Sequence, residues 1–437
     1  MDESEEINMK PQQWDTKYEW KAVLLLSLGF GLVGLDRWII APLLPSIMRD
    51  LDLNYTDIGL IFGALGITWG IFAILAGNLS DRIGHRKILI PSLIIFSIAS
   101  GFSGTATGLI SLIFIRAIMG VSEGAFCPTS FAATAIAAKP SRRGSLQGLQ
   151  QSGFALLGLG LGPIIATQLL LVVPSWREVF WVVAIPGLIL AAFMYFIIKE
   201  PQDTQGGQVL SNHNEISHQK EKIHWGQLLR TRNILLSMLG LFCTMSCVFV
   251  ISAMVPLYLE NYLKLNSQSM GIVVSAIGFG GFLGQFLLPT ISDWIGRKKA
   301  SFLGFLGSTI FIYFFANSTA EVSTLFIYLF ILSFFSLGLI ALLSGPIAAE
   351  SAPIGLVASS IGLVVGAGEI FGGGVAPFIS GLIAENYGIQ NIFYLSLIGT
   401  MTGMVISLFI KETAPRLIQK HFLNNSVHKV KTSGSSK

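Results

Sequence analysis

Twelve stretches of the chain are apolar enough, and long enough, to be helices that cross a bilayer. They run at about 21–47, 58–78, 88–106, 108–137, 145–172, 177–198, 233–262, 270–291, 300–317, 323–349, 357–383 and 391–410. A helix needs about 20 predominantly apolar residues to span the hydrocarbon core. Composition agrees with that reading: 52% of the 437 residues are hydrophobic and only 12% are charged, whereas soluble domains carry roughly 25% charged residues. So little polar skin excludes a soluble enzyme, and excludes nucleic-acid binding as a main task. The expected fold class is an all-α membrane protein. The acidic start, MDESEEINMK, precedes a span too long for a secretory leader, so no cleaved signal is expected.

One long polar stretch, 199–232, divides the chain into two six-helix bundles at 21–198 and 233–411, with tails at 1–20 and 412–437. Basic residues in the loops set the orientation. The loops after the second, fourth, sixth and eighth spans carry 14 Lys and Arg, against 3 (Arg49, Arg177, Lys264) in the loops on the other side. That asymmetry predicts cytoplasmic tails in a multi-pass protein of the cell (inner) membrane. The halves also repeat: GNLSDRIGHRK at 77–87 returns as PTISDWIGRKK at 289–299, with Ser80, Asp81, Ile83, Gly84 and Lys87 matched at an offset of 212. Duplication at half length points to a transporter built from parallel repeats.

The repeated turn has a physical use. Gly84 and Gly296 suit a backbone conformation that side chains obstruct. Asp81 and Asp293 are placed to accept hydrogen bonds at a helix end on the facing bundle and to pair with a nearby arginine. Such pairs would hold a gate shut, and the gating set is Asp81, Arg82, Arg86, Asp293, Arg297 and Glu350. Glu350, at the end of the tenth span, is the expected partner of the second basic cluster. Without that role, the same charges would serve only to orient the loops.

Charges inside spans are costly and functional by default. Five are found: Asp36 and Arg37 in the first span, Arg116 and Glu123 in the fourth, and Glu369 in the eleventh. Arg116 and Glu123 lie seven apart, on one helical face, with Gly120 leaving room for a ligand or a neighbouring helix. Two arginines offer planar forks for a carboxylate. Asp36, Glu123 and Glu369 are the candidate proton carriers. Glu369, in GEIFGGGVAP, is expected to be protonated at rest, because both arginines belong to the other half across the cavity. It either tunes coupling or serves only as a structural hydrogen-bonding group.

The duplicated loop motif, the WREVFW start of the sixth span and the twelve-span plan resemble the major facilitator superfamily across nearly the whole chain. The resemblance implies two six-helix bundles around a central cavity lined by the first, fourth, seventh and tenth spans, working by alternating access. GLDRWIIAPLLPSI (34–47) and RAIMGVSEGAF (116–126) are further similar to the anion:cation symporter branch. By that resemblance Arg37 and Arg116 bind the carboxylate of an organic anion, while Asp36 and Glu123 carry protons. Trp69 stands where that branch often has a tyrosine, which favours a larger or more aromatic anion, and the arginine common there in the loop after the tenth span is missing. The spinster-like branch shares the Asp-Arg pair and the fourth-span Glu.

The expected function is therefore proton-coupled uptake of a small organic anion, with Trp69, Gln151 and Tyr258 as further substrate contacts. A multidrug:proton antiporter and a spinster-like lipid transporter are the alternatives; two buried arginines argue against a cationic cargo. The protein is expected to act as a monomer in the lipid bilayer and not as an enzyme. Neither a cofactor nor a metal is implied: no phosphate-cradling loop is present, and Cys127, Cys243 and Cys247 read as buried small hydrophobes. GLGLGP (158–163) resembles a drug-antiporter motif, but it also suits a tight helix contact.

Overall fold

The computed structural model describes residues 15–139, 143–199, 225–352 and 357–414. Among these, twelve helices are long and apolar enough to cross a membrane: α1 Thr16–Leu51, α2 Tyr55–Ala76, α3 Arg86–Thr105, α4 Leu109–Thr134, α5 Leu146–Leu169, α6 Trp176–Ile197, α7 Arg232–Tyr262, α8 Ser267–Ile295, α9 Arg297–Ala316, α10 Val322–Glu350, α11 Ser360–Tyr387 and α12 Ile389–Leu408. Each lies within five residues of the span expected at that place. The largest departure is at the start, where α1 begins at Thr16, inside the stretch read as a tail. Most of the polar stretch 199–232 lies outside the described residues, apart from Lys199, a short helix over Trp225–Arg230 and the start of α7.

The offset of 212 seen in the loops extends well beyond them. Asp52 and Lys264 are the only non-glycine residues with positive φ among the described residues, at 51° and 59°, and they end α1 and enter the turn after α7. Asn54 and Asn266 follow as N-caps. Each side-chain oxygen accepts from a backbone N–H three residues on, Asp57 at 2.9 Å and Ser269 at 2.8 Å, which satisfies a donor that the helix itself leaves open. At the other end of the same helices, Gly84 and Gly296 have φ of 100° and 102°, a conformation L side chains rarely adopt, as the repeated turn predicted. The two halves are therefore equivalent down to their caps.

Packing follows the same symmetry. Within the N half α2 packs on α4 and α3 on α6, while within the C half α8 packs on α10 and α9 on α12. The halves meet where α2 lies against α11 and where α8 lies against α5. Glycine makes these approaches possible. A Cβ on Gly66 would stand 2.4 Å from Gly373 O, and one on Gly278 would stand 1.8 Å from Gly160 N. GLGLGP therefore serves a tight helix contact in this fold. The stretches flanking both contacts are π-helical, Ala155–Leu161 in α5 and Glu369–Val375 in α11. Large apolar side chains such as Phe114, Phe193 and Phe286 stay outside, exposed on the helix surfaces, as a lipid-facing perimeter requires.

Two ends can be distinguished. The tail end carries Thr16 and the residues after Leu408; the far end carries the turns after α1 and α7. Polar ties between the halves occur at the far end: Arg49 with Glu260 at 3.5 Å, Tyr55 N–H to Glu385 at 3.0 Å, and Asn261 to the Tyr55 hydroxyl at 3.1 Å. The α2–α11 and α5–α8 glycine contacts lie in the same direction from the middle.

Candidate functional site

Asp36 and Arg37 are consecutive, so their side chains leave α1 about 100° apart. Asp36 turns to α3, where Ser100 Oγ donates to its carboxylate at 3.1 Å. Arg37 turns to the C half, and its Nη2 lies 3.1 Å from Glu369 Oε2. Three aromatic rings surround that guanidinium: Phe249 at 4.6 Å, Trp69 at 5.7 Å and Trp38 at 5.9 Å from ring centre to Cζ. The indole N–H groups of Trp38 and Trp69 are buried and have no hydrogen-bond partner.

Arg116 reaches in from α4. Its Nη1 donates to the backbone carbonyls of Asp36 at 3.2 Å and Arg37 at 3.3 Å. Its Nε and Nη2, which share one edge of the guanidinium, are buried without partners, and so are both carboxyl oxygens of Glu123. The room at Gly120 is taken by α2: a Cβ there would lie 2.1 Å from Thr68 Oγ1, and one on Gly124 would lie 2.4 Å from Trp69 O. That contact holds Trp69 against the charged helices.

All five charges are thus brought together in the interior, none more than 6% exposed. An unpaired ion so placed costs several kcal/mol. The cluster carries one matched ion pair, one loose guanidinium edge and one carboxyl group with nothing to hold. Chemically, that is a set able to take a carboxylate side-on and to exchange protons.

Several expectations need correction. Glu369 is not out of reach of the arginines, because the glycine contact of α2 and α11 brings the halves close enough for Arg37 to pair with it. Tyr258 lies about 13 Å further along α7 than Phe249, inside the C half, packed against Phe393 at 4.9 Å and Phe315 at 6.2 Å and stacked on Tyr262 at 5.2 Å. It does not touch the charged cluster. Gln151 is half-buried on α5 and forms no hydrogen bond to the cluster; its neighbour Gln150 donates to Ser130 at 2.9 Å.

At the tail end, the side chains of Asp81 and Arg82 lie outside the described residues. Arg86 binds the Tyr195 carbonyl and stands 4.7 Å from that ring, so it ties α3 to α6 within one half. In the second copy Arg297 pairs with Asp293 at 2.6 Å and with Glu350 at 2.8 Å. Glu412 accepts from the Arg297 backbone N–H at 2.7 Å. These contacts also stay within their own half, so the contact with the facing bundle expected of Asp293 is replaced by its pairing with Arg297 four residues on.

Some functional neighbours were not singled out from sequence. Trp38 directly follows the Asp-Arg pair, and Phe249 stands 212 residues after Arg37; the repeat offset was the signal that would have found it. The start of α6 proves to be a staple: Arg177 pairs with Asp50 at 2.8 Å and donates to the Ala106 carbonyl at 2.7 Å, and the Trp176 indole donates to Asp50 at 3.2 Å.

Comparison with known proteins fits this arrangement. The sequence matches the family model described as Major Facilitator Superfamily over residues 26–367 and again over 239–429. It is 30% identical to the hexuronate transporter of Bacillus subtilis (strain 168) over 65% of this chain and 67% of that one. It is 28% identical to the sialic acid transporter NanX of Escherichia coli (strain K12) over 74% of this chain and 77% of that one. The crystal structure of a bacterial homolog of the human lysosomal transporter Spinster, inward-facing and unoccupied, superposes with a TM-score of 0.68 at 16% identity, covering 90% of this chain and 95% of that one. With its architecture repeated in two halves and nearly its whole length matched by one family, this chain belongs to the Major Facilitator Superfamily and is a membrane transporter, not an enzyme.

Proposed function

We propose that the protein takes up a small organic anion bearing a carboxylate, together with protons, by alternating access. The observation that carries this is the buried cluster in which the Arg116 Nε/Nη2 edge and both Glu123 oxygens lack partners. A guanidinium edge is the natural seat of a carboxylate. A buried carboxyl without partners is a group whose charge must change with its surroundings. Arg37 and Arg116 bind the anion, and Asp36 and Glu123 carry protons. Two relatives named for hexuronate and sialic acid, both carboxylates, support the same cargo class. Rings around Arg37 and the free indole donors of Trp38 and Trp69 favour an anion with a planar or apolar body and at least one further acceptor oxygen. Gln151 is a candidate contact from α5 if the halves tilt.

In this reading the tail end faces the cytoplasm, as the 14 to 3 loop asymmetry requires, and the far end is closed. The repeated turns, with Asp81, Arg82, Arg86, Asp293, Arg297 and Glu350, control the rocking of the halves. Each monomer is a complete transport unit. Purified protein in proteoliposomes, given labelled carboxylates with the external medium made more acidic than the lumen, should accumulate one of them, and accumulation should collapse when a protonophore is added. Transport of cationic drugs with no carboxylate uptake would overturn the reading.

A further inference from the structure

The cluster sets three acids against two arginines, and a single one of those acids, Glu369, comes from the C half. It opens the π-helical stretch of α11, a local geometry often found at functional sites. Its carboxylate is 3.1 Å from Arg37, with side chains 7% and 3% exposed. The backbone makes room for this pose: a Cβ on Gly373 would lie 2.7 Å from Glu369 Oε2, and a Cβ on Gly70 would lie 2.7 Å from the Ile370 side chain. Any residue but glycine at 373 would push the carboxylate away. Apart from Glu369, aromatic faces are what Arg37 meets nearest. Glu369 therefore occupies the place where Arg37 would receive a carboxylate from outside.

We propose that Glu369 is an internal surrogate for the substrate carboxylate, pairing with Arg37 between the halves until an incoming anion displaces it. The inference rests on the carboxylate-transport reading above. Exchange of one carboxylate for another keeps Arg37 paired throughout. The displaced Glu369 is then left within electrostatic range of the Glu123 carboxyl on α4. The nearest residues of α2 and α7, Gly70 and Phe249, carry no charge, and Arg116 is committed to α1 and the anion. A buried carboxylate without a cation is costly, so Glu369 takes up a proton as it leaves. Anion binding and proton uptake are thereby linked at this residue, in addition to the protons carried by Asp36 and Glu123. The same exchange removes the one ion pair that joins the halves at mid-membrane among the described residues.

The test is binding to purified, detergent-solubilised full-length protein, with D-glucuronate, N-acetylneuraminate and benzoate as probes, followed by tryptophan fluorescence or calorimetry. Wild-type affinity should rise as pH falls, because the surrogate must be protonated to leave. Glu369→Gln removes the competing charge but keeps the volume. It should bind the same probe about tenfold or more tightly, with a weaker pH dependence than wild type. Glu369→Asp, which stays acidic but reaches less far, should fall between the two, and it serves if the Gln variant does not fold. Wild-type binding with unchanged or weaker binding in the variants overturns the surrogate. Absence of binding to every carboxylate in wild type and variants alike overturns the transport reading, and the surrogate with it.

Discussion

At Arg116 the division of labour among the guanidinium nitrogens decides what a substitution does. One nitrogen, Nη1, is spent on two carbonyls of α1, while Nε and Nη2 stand free along the opposite edge. Lysine retains the charge and loses the fork, so Arg116→Lys must give up either its grip on α1 or its side-on seat for an anion. Carboxylate affinity should fall by about 1.5–3 kcal/mol, read as a smaller ligand-induced rise in melting temperature. An unchanged rise would remove Arg116 from the binding site. Glu123 gives the complementary test. Glu123→Gln fixes the neutral form, so the variant should bind and exchange substrate but fail to accumulate it under a pH gradient. If accumulation survives there and fails in Asp36→Asn, the proton travels on Asp36. These residues were legible because charge is rare and costly inside a span. The partner of Glu369 was not, because its pairing depends on how closely two helices from different halves approach, and Tyr258 misled because a position on α7 does not by itself reveal its depth.

Elements were legible where local chemistry repeats. Spans follow from length and apolarity, and the loop duplication at an offset of 212 already held the glycine turns. Caps at Asn54 and Asn266 share that offset and were readable in principle. The π-helical stretches of α5 and α11 were not, since a run such as GLGLGP or GEIFGGGVAP fits a regular helix equally well until the neighbour is known. Their neighbours explain them: α5 meets α8 and α11 meets α2 by backbone-to-backbone contact. A single methyl should therefore act as a wedge. A Cβ at Gly278 would fall 1.8 Å from a backbone nitrogen of Gly160, which no side-chain rotation relieves, so Gly278→Ala must part α8 from α5. The expected result is a far end held open, seen as increased labelling of a cysteine placed at Thr167 by an impermeant maleimide. Labelling equal to that of the same cysteine in the unwedged protein would mean that the α5–α8 contact does not close that end. Gly345, with open space around its Cβ position, is the control, and Gly345→Ala should leave labelling unchanged.

Across the whole molecule the symmetry of the fold and the asymmetry of its charge work against each other. The halves match in caps, turns and packing pairs, yet four of the five charges in the central cluster belong to the N half; where α1 has Arg37, its counterpart α7 has Phe249. The Arg37–Glu369 ion pair therefore crosses between largely apolar faces at mid-membrane, while further polar ties between the halves stand at the far end. Rocking about the middle requires those far-end ties to break while the glycine contacts separate. A covalent tie there should stop it. The Cβ position of Gly381 is 2.4 Å from the Tyr55 carbonyl and 3.1 Å from Thr56 Cα, so a cysteine there first moves α11 slightly off α2, and a cysteine at Thr56 is then within reach of a disulfide. The three native cysteines are buried, so the oxidant acts on the new pair. Thr56→Cys with Gly381→Cys should transport when reduced, lose transport on oxidation and recover it with reductant, whereas neither single variant should respond. Full transport by a quantitatively oxidised pair would mean that α2 and α11 never part at this end, and that access alternates by some motion other than rocking of the two halves.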